Sequence, residues 1–179
     1  KSAVGIVMNV NNGEIIALSS LPDFDPNNKE DINSKNRFNR AVSGVYELGS
    51  VLKILTFAIA FENNLLDKKE QFFVKDSIKY GKYSISDDHY VKDKMDYNEV
   101  FIHSSNIGTV RIAQKIGAKK QREFFKNIGF LDKVDADITG LANPIIPKRW
   151  NDINLFTISF GHGIAITPLH LVSAVGAMV

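Results

Sequence analysis

A mixed α/β (α+β) fold is predicted by three features of the sequence. Two apolar, partly β-branched runs flank Asn11-Asn12-Gly13, an unbroken apolar helix pattern begins at Ser50, and Gly117 and Gly129 bracket a later helical stretch. Residues 3–10 and 14–19 read as paired strands, because a hairpin turn needs positive φ at both central residues and Asn-Gly supplies it. Residues 21–39 are rich in Pro, Asp, Asn and Lys, with a turn at Asp25-Pro26-Asn27, and read as a surface excursion. A helix over residues 50–61 is stopped by Asn63-Asn64. Residues 68–96 alternate short apolar and polar stretches, the pattern of loops with small strands. A second helical region starts near Tyr97, breaks at residues 104–106 and resumes over 107–116. Gly117 and Gly129 stand where helix C-termini favour a left-handed residue, around a third helix with Phe124 and Phe125 inward. A Pro-punctuated loop over residues 143–150 leads to a segment over 154–163 that ends in the glycine turn Phe160-Gly161-His162-Gly163. Thr167 as N-cap and Pro168 at the first helical position then start a last, buried helix.

The 179 residues suit one domain or a large piece of one, and their 44% hydrophobic and 23% charged content is that of a globular chain. A net charge of +2 gives no argument for nucleic acid or an anionic membrane. The absence of cysteine excludes disulfides and thiolate-bound metals. The apolar run over residues 163–179 is interrupted by Pro168 and His170, whereas a membrane span takes about 20 continuous apolar residues. A chain that stops inside such a helix, and opens at Lys1 with no signal peptide, is expected to be cut from a longer protein.

The chemistry centres on the helix SVLKILTFAIAF. Its apolar residues lie all round, which predicts burial on every side, and Lys53 is the one charge among them. A buried ammonium must be paired or lose its proton, and a lysine with a lowered pKa is what a general base near neutrality requires. Ser50 lies one turn earlier on the same face, where its hydroxyl meets unpaired backbone N–H groups and the positive end of the helix dipole. On the pair alone the favoured reading is a capping serine and a lysine snorkelling to solvent, since Ser-x-x-Lys is a cheap pattern. Ser104-Ser105-Asn106, at a helix break, is a second candidate; its bland reading is a capping run, and Ser34-Lys35-Asn36 matches the same Ser-x-Asn pattern. His103 beside Ser104 faces away from it on a helix. Asp87-Asp88-His89 lacks a second ligand cluster at metal spacing and reads as a solvated loop. Trp150, Phe124, Phe125 and Phe130 read as core.

Ser-x-x-Lys followed by Ser-x-Asn resembles the first two motifs of the penicillin-binding serine acyltransferases, whose third is Lys-Thr-Gly. The stretch NRAVSGVYELGSVLKI is similar to the nucleophile region of class B penicillin-binding proteins, and the opening hairpin with Phe24-Asp25-Pro26-Asn27 resembles that family's domain start. Ser104-Ser105-Asn106-Ile107-Gly108 resembles its second motif, and Phe160-Gly161-His162-Gly163 with Thr167-Pro168 its later glycine turn. The Asn-Arg-Ala-Val and Tyr-Glu wording leans toward the cell-division type rather than the elongation type. Two features depart from the pattern. Leu48 stands at the usual proline, which should loosen the start of the helix, and no Lys-Thr-Gly or Lys-Ser-Gly occurs. Lys79-Tyr80-Gly81 precedes the second motif and carries an aromatic where a hydroxyl is needed.

The resemblance implies a β-lactamase/transpeptidase-like fold, incomplete over residues 1–179 and lacking the C-terminal sheet strands that would carry the third motif. It implies a peptidoglycan D,D-transpeptidase in which Ser50 is the nucleophile, Lys53 its base, Ser104 a proton relay and Asn106 the holder of the substrate amide. The expected partners are the D-Ala-D-Ala stem peptide, β-lactams and membrane proteins of the division machinery; no cofactor, metal or nucleic acid is expected. The expected location is the periplasmic side of a bacterial inner membrane, held by an anchor outside this chain. A serine β-lactamase and a non-catalytic β-lactam sensor on the same fold remain alternatives, and Glu47 and Glu99 are the carboxylates to place.

Overall fold

A computed structural model describes residues 1–29 and 35–179; Ser34 of the second Ser-x-Asn match and part of the 21–39 excursion lie outside the described residues. The chain divides into two compact units, Lys1–Glu47 with Phe125–Ile146 and Ile164–Val179, and Leu48–Phe124 with Pro147–Gly163.

In the first unit β1 (Ala3–Met8) pairs antiparallel with β2 (Ile15–Leu21), with an irregularity between Val7 and Met8. The turn is longer than the two residues that Asn-Gly predicts. Asn9 N donates to Glu14 O and Gly13 N to Asn9 O, both at 2.8 Å. Gly13 alone in this turn has positive φ, at 75°, as in a four-residue loop built around a type I turn. Asp25 forms the expected turn, its carboxylate accepting from Asn27 N at 2.9 Å. The final helix α6 (Pro168–Gly176) starts as predicted, with Thr167 capping and Pro168 in its first turn. Leu169 joins Ala41 and Val42 in a core covered by Val4, Ile6, Ile15 and Leu18. Only Leu169, His170 and Ala174 of α6 are fully buried, so it is less enclosed than its composition implies. His170 completes the cap: Nδ1 pairs with Thr167 Oγ1 at 2.7 Å, and Nε2 lies 2.9 Å from Asp132 O. Phe125 and Phe130 pack ring to ring at 5.0 Å, while Phe124 is half-buried.

The second unit is mainly helical. A 3₁₀ turn over Gly49–Leu52 precedes α1 (Lys53–Glu62). The small strands β3 (Phe72–Phe73) and β6 (Lys94–Met95) pair with each other, as do β4 (Ile78–Tyr80) and β5 (Tyr83–Ile85). Helices α2 (Tyr97–Ile102), α3 (Asn106–Ile116), α4 (Ala118–Asn127) and α5 (Asp152–Ser159) follow. Helix α3 packs against α1 and α5. No helix among the described residues is long and apolar enough to cross a membrane.

Two expectations for α1 need correcting. The α-helix begins at Lys53 rather than Ser50, because residues 49–52 wind as a tighter 3₁₀ turn. Nor is it buried on every side: Val51 and Phe61 are 53% and 54% exposed. Residues 51, 54, 58 and 61 recur every three to four positions, so they form one stripe, and that stripe faces outward. The C-terminus is the stop that Asn63-Asn64 predicts. Asn64 takes φ 53° while Leu65 N donates to Ala60 O and Asn64 N to Phe61 O, the two bonds of a Schellman cap.

Candidate active site

The proposed base is the most enclosed charge of the second unit. Lys53 is 3% exposed, and burial, the larger influence, lowers its pKa from 10.5 to about 8 against the opposing charges of Asp87 and Asp88. Its amine is satisfied from α2's end: Nζ donates to Ser104 O and, at 2.9 Å, to Ser104 Oγ. The structure thus brings the first and second motifs together. Ser50 is exposed on the 3₁₀ turn, where its carbonyl accepts the Lys53 amide. Among the described residues no hydrogen bond joins its hydroxyl to Lys53, whose amine faces Ser104 instead.

Ser104 owes its place to the break between α2 and α3. Helix α2 opens on a capping box, Asp96 accepting from Glu99 N and Glu99 accepting from Asp96 N. It closes as α1 does: Ser104 N donates to Phe101 O and Ser105 N to Val100 O. Ser104 is the left-handed residue of that cap, at φ 52°, where glycine is favoured. For an L-residue the conformation costs roughly 1–2 kcal/mol. A serine here is strained where glycine would serve the fold, and it turns both its oxygens to Lys53. Ser104→Gly is therefore expected to leave stability unchanged or raised by up to about 1 kcal/mol, the strain relief set against glycine's entropy. Thermal unfolding of the two proteins measures this.

Ser105 is a true cap, 2% exposed, accepting from Gly108 N at 2.9 Å. Asn106 lies in the first turn of α3 and donates its Nδ2 to Ser86 O at 3.1 Å. Its amide is therefore already bonded to the loop after β5. That loop also corrects the reading of Asp87-Asp88-His89 as merely solvated. Asp87 is half-buried, with Oδ2 accepting from Ser105 Oγ at 2.6 Å and Oδ1 from Ile107 N at 2.9 Å. No local pattern marks Asp87, because its partners lie about twenty residues downstream. Glu99 uses one oxygen for its cap and the other for Lys92, an arrangement that holds its carboxyl below the usual range.

The glycine turn supports the Ser50 side of the site. Gly49 N donates to Gly161 O at 3.2 Å, and Thr56 Oγ1 donates to Ser159 O at 2.9 Å. Gly161, at φ 95°, lies so close to Gly49 that a Cβ would sit 1.8 Å from the Gly49 carbonyl oxygen.

The chain belongs to the penicillin-binding protein transpeptidase domain family, whose model matches residues 3–179. It is 36% identical, over 99% of its length, to a protein named probable peptidoglycan D,D-transpeptidase FtsI in Caulobacter vibrioides (strain NA1000 / CB15N), covering 30% of that protein. Its identity to stage V sporulation protein D of Bacillus subtilis (strain 168) is 33%, over 98% of the chain and 28% of that protein. To the probable peptidoglycan D,D-transpeptidase PenA of Neisseria gonorrhoeae it is 29%, over 99% and 31%. The chain therefore spans about a third of the length of these relatives.

Proposed function

We propose that this chain supplies the nucleophile half of a peptidoglycan D,D-transpeptidase that works through a serine acyl-enzyme and is blocked by β-lactams. The observation that carries the reading is Lys53, buried, with a pKa of about 8, and bonded to both oxygens of Ser104. Ser50 Oγ attacks the carbonyl carbon of the penultimate D-alanine, and its proton passes to neutral Lys53 Nζ. The tetrahedral adduct collapses to a Ser50 ester as the C–N bond breaks. The departing D-alanine amine receives that proton from Lys53 by way of Ser104 Oγ. An amine of a neighbouring stem peptide then attacks the ester, forming the crosslink and returning a proton to Ser50. Water in place of that amine gives D-Ala-D-Ala carboxypeptidase activity. Asn106 holds the substrate amide, which requires its Nδ2 to exchange Ser86 O for substrate or its Oδ1 to accept.

The third motif, Lys-Thr-Gly or Lys-Ser-Gly, lies beyond Val179 in this reading, with residues 1–179 the N-terminal and central part of the domain. The parent protein is anchored in the bacterial inner membrane with this domain on the periplasmic side, and serves cell division with membrane partners of the division machinery. The names of the relatives support the peptidoglycan D,D-transpeptidase activity, and the order of the motifs along the chain supports the family resemblance from which the rest is inferred.

The full-length protein carrying this chain should form a stable covalent adduct with a fluorescent penicillin, and Ser50→Ala should form none. A label that hydrolyses within minutes would replace this reading with a β-lactamase. Label surviving Ser50→Ala, or no label on the full-length protein, would overturn it.

A further inference from the structure

We propose that Asp87 is a positioning residue for the acyl-transfer centre: its carboxylate clamps the start of α3 and so holds Ser104 in the conformation that presents both its oxygens to Lys53. The proposal rests on the reading of Ser50 and Lys53 given above.

Ser104 must be held, because its left-handed backbone is unfavourable for serine. The α2 cap secures its N-terminal side through the Phe101 and Val100 carbonyls. Its C-terminal side depends on the first turn of α3, which begins two residues later. There Ser105 Oγ accepts the Gly108 amide and must place its own proton, and Asp87 Oδ2 takes it at 2.6 Å. Asp87 Oδ1 takes the Ile107 amide at 2.9 Å. One carboxylate from another part of the chain thus satisfies a helix-end N–H directly and secures the cap of a second. Its negative charge also suits the positive end of α3. Asn106 Nδ2 bonded to Ser86 O adds a strap from the same loop. With Ser105 2% exposed, an unanswered hydroxyl there would be costly, so the loop and the cap next to Ser104 are held together.

Asp87 and Asp88 are also the charges that act on Lys53, both opposing the effect of its burial; Ser104 adds only neutral oxygens. Asp87 therefore has two separable influences, one on geometry and one on the protonation of the base. Asp88 has only the second, since it takes no part in the Ser105 or Ile107 bonds.

The test is the rate of penicillin acylation of the full-length protein as a function of pH. Asp87→Asn should lower the plateau rate roughly tenfold or more, because small displacements at a reacting centre carry such penalties, and should move the rising limb to lower pH. Asp88→Asn should move the limb and leave the plateau unchanged. A plateau rate lowered only in proportion to the fraction unfolded, wherever the limb falls, would mean that Asp87 is purely structural, and that result would overturn the proposal. So would wild-type acylation by both Asp87→Asn and Asp87→Ala. Should the wild type not label, or Ser50→Ala label, the acyl-transfer reading itself has failed. Asp87 is then judged without chemistry, in the Ser50→Ala background. There Asp87→Asn should speed hydrogen exchange at the Ser105 and Ile107 amides and lower the Lys53 midpoint followed by NMR; no change in either rejects it.

Discussion

Lys53→Met is expected to lower acylation by roughly three orders of magnitude or more, the scale of losing an activating base, while leaving the protein as stable at pH 7 as the wild type, or more so. The two halves have one cause. A lysine that is 3% exposed and titrates near 8 is held against the preference of its charged form for water. The unfolded chain binds that proton with the ordinary lysine pKa of 10.5. Between about 8 and 10.5 the unfolded state therefore holds a proton that the folded state has released, so stability rises with pH across this window. Below about 8 both states are charged and the penalty is complete. Methionine of similar volume removes the buried charge and with it the cost of keeping that charge from water. Ser104 loses a donor, but it is exposed and water can answer it. The measurement is denaturant unfolding of both proteins from pH 6 to 10: the wild type should gain stability on the variant above pH 8. A variant several kcal/mol less stable at pH 7 would mean that Lys53 holds the structure together, contrary to this account. Wild-type acylation should follow the same group, rising with pH to a plateau above about 8.

Much of this was legible in the sequence because it depends on neighbours along the chain. Asn63-Asn64 as a stop, Thr167-Pro168 as a start and the break at Ser104 are local backbone events, and each occurs where the residues place it. The hairpin was legible but its turn was not, since Asn-Gly specifies positive φ only when the loop has two residues, and here the strands end earlier, at Met8. Lys53 as the odd charge in an apolar helix was visible; its acceptor was not, because 51 residues separate it from Ser104. Asp87 shows the limit most clearly. Nothing near it in sequence distinguishes a solvated aspartate from one that caps a helix beginning at Asn106. The outward stripe on α1 is the converse case: apolar periodicity reports which faces can be buried, and packing decides which ones are.

Gly161→Ala is expected to have the largest structural effect of any single methyl group added at the site. Two independent penalties coincide there. A φ of 95° lies in the region that L-residues rarely adopt, and the new Cβ would stand 1.8 Å from the Gly49 carbonyl oxygen and 2.5 Å from its Cα. These are backbone atoms, so no rotamer change relieves the clash. Relief requires the glycine turn and the Gly49 turn to separate, breaking the Gly49 N to Gly161 O bond. Gly49 immediately precedes Ser50, so that separation displaces Ser50; Lys53, anchored on α1, should stay with Ser104. Overpacking and backbone strain together should lower stability by about 3 kcal/mol or more, and labelling of the fraction that remains folded should fall at least roughly tenfold. Gly163→Ala is the control. Its φ of 81° is similarly strained, but its Cβ would meet only side-chain atoms, the Thr157 hydroxyl at 3.0 Å and Ile158 at an ordinary 4.0 Å, and no backbone. It should cost about 1–2 kcal/mol and leave the labelling rate of the folded protein nearly unchanged. Equal losses for the two variants would show that backbone strain alone governs this turn, and that the contact between Gly161 and Gly49 does not hold Ser50 in place.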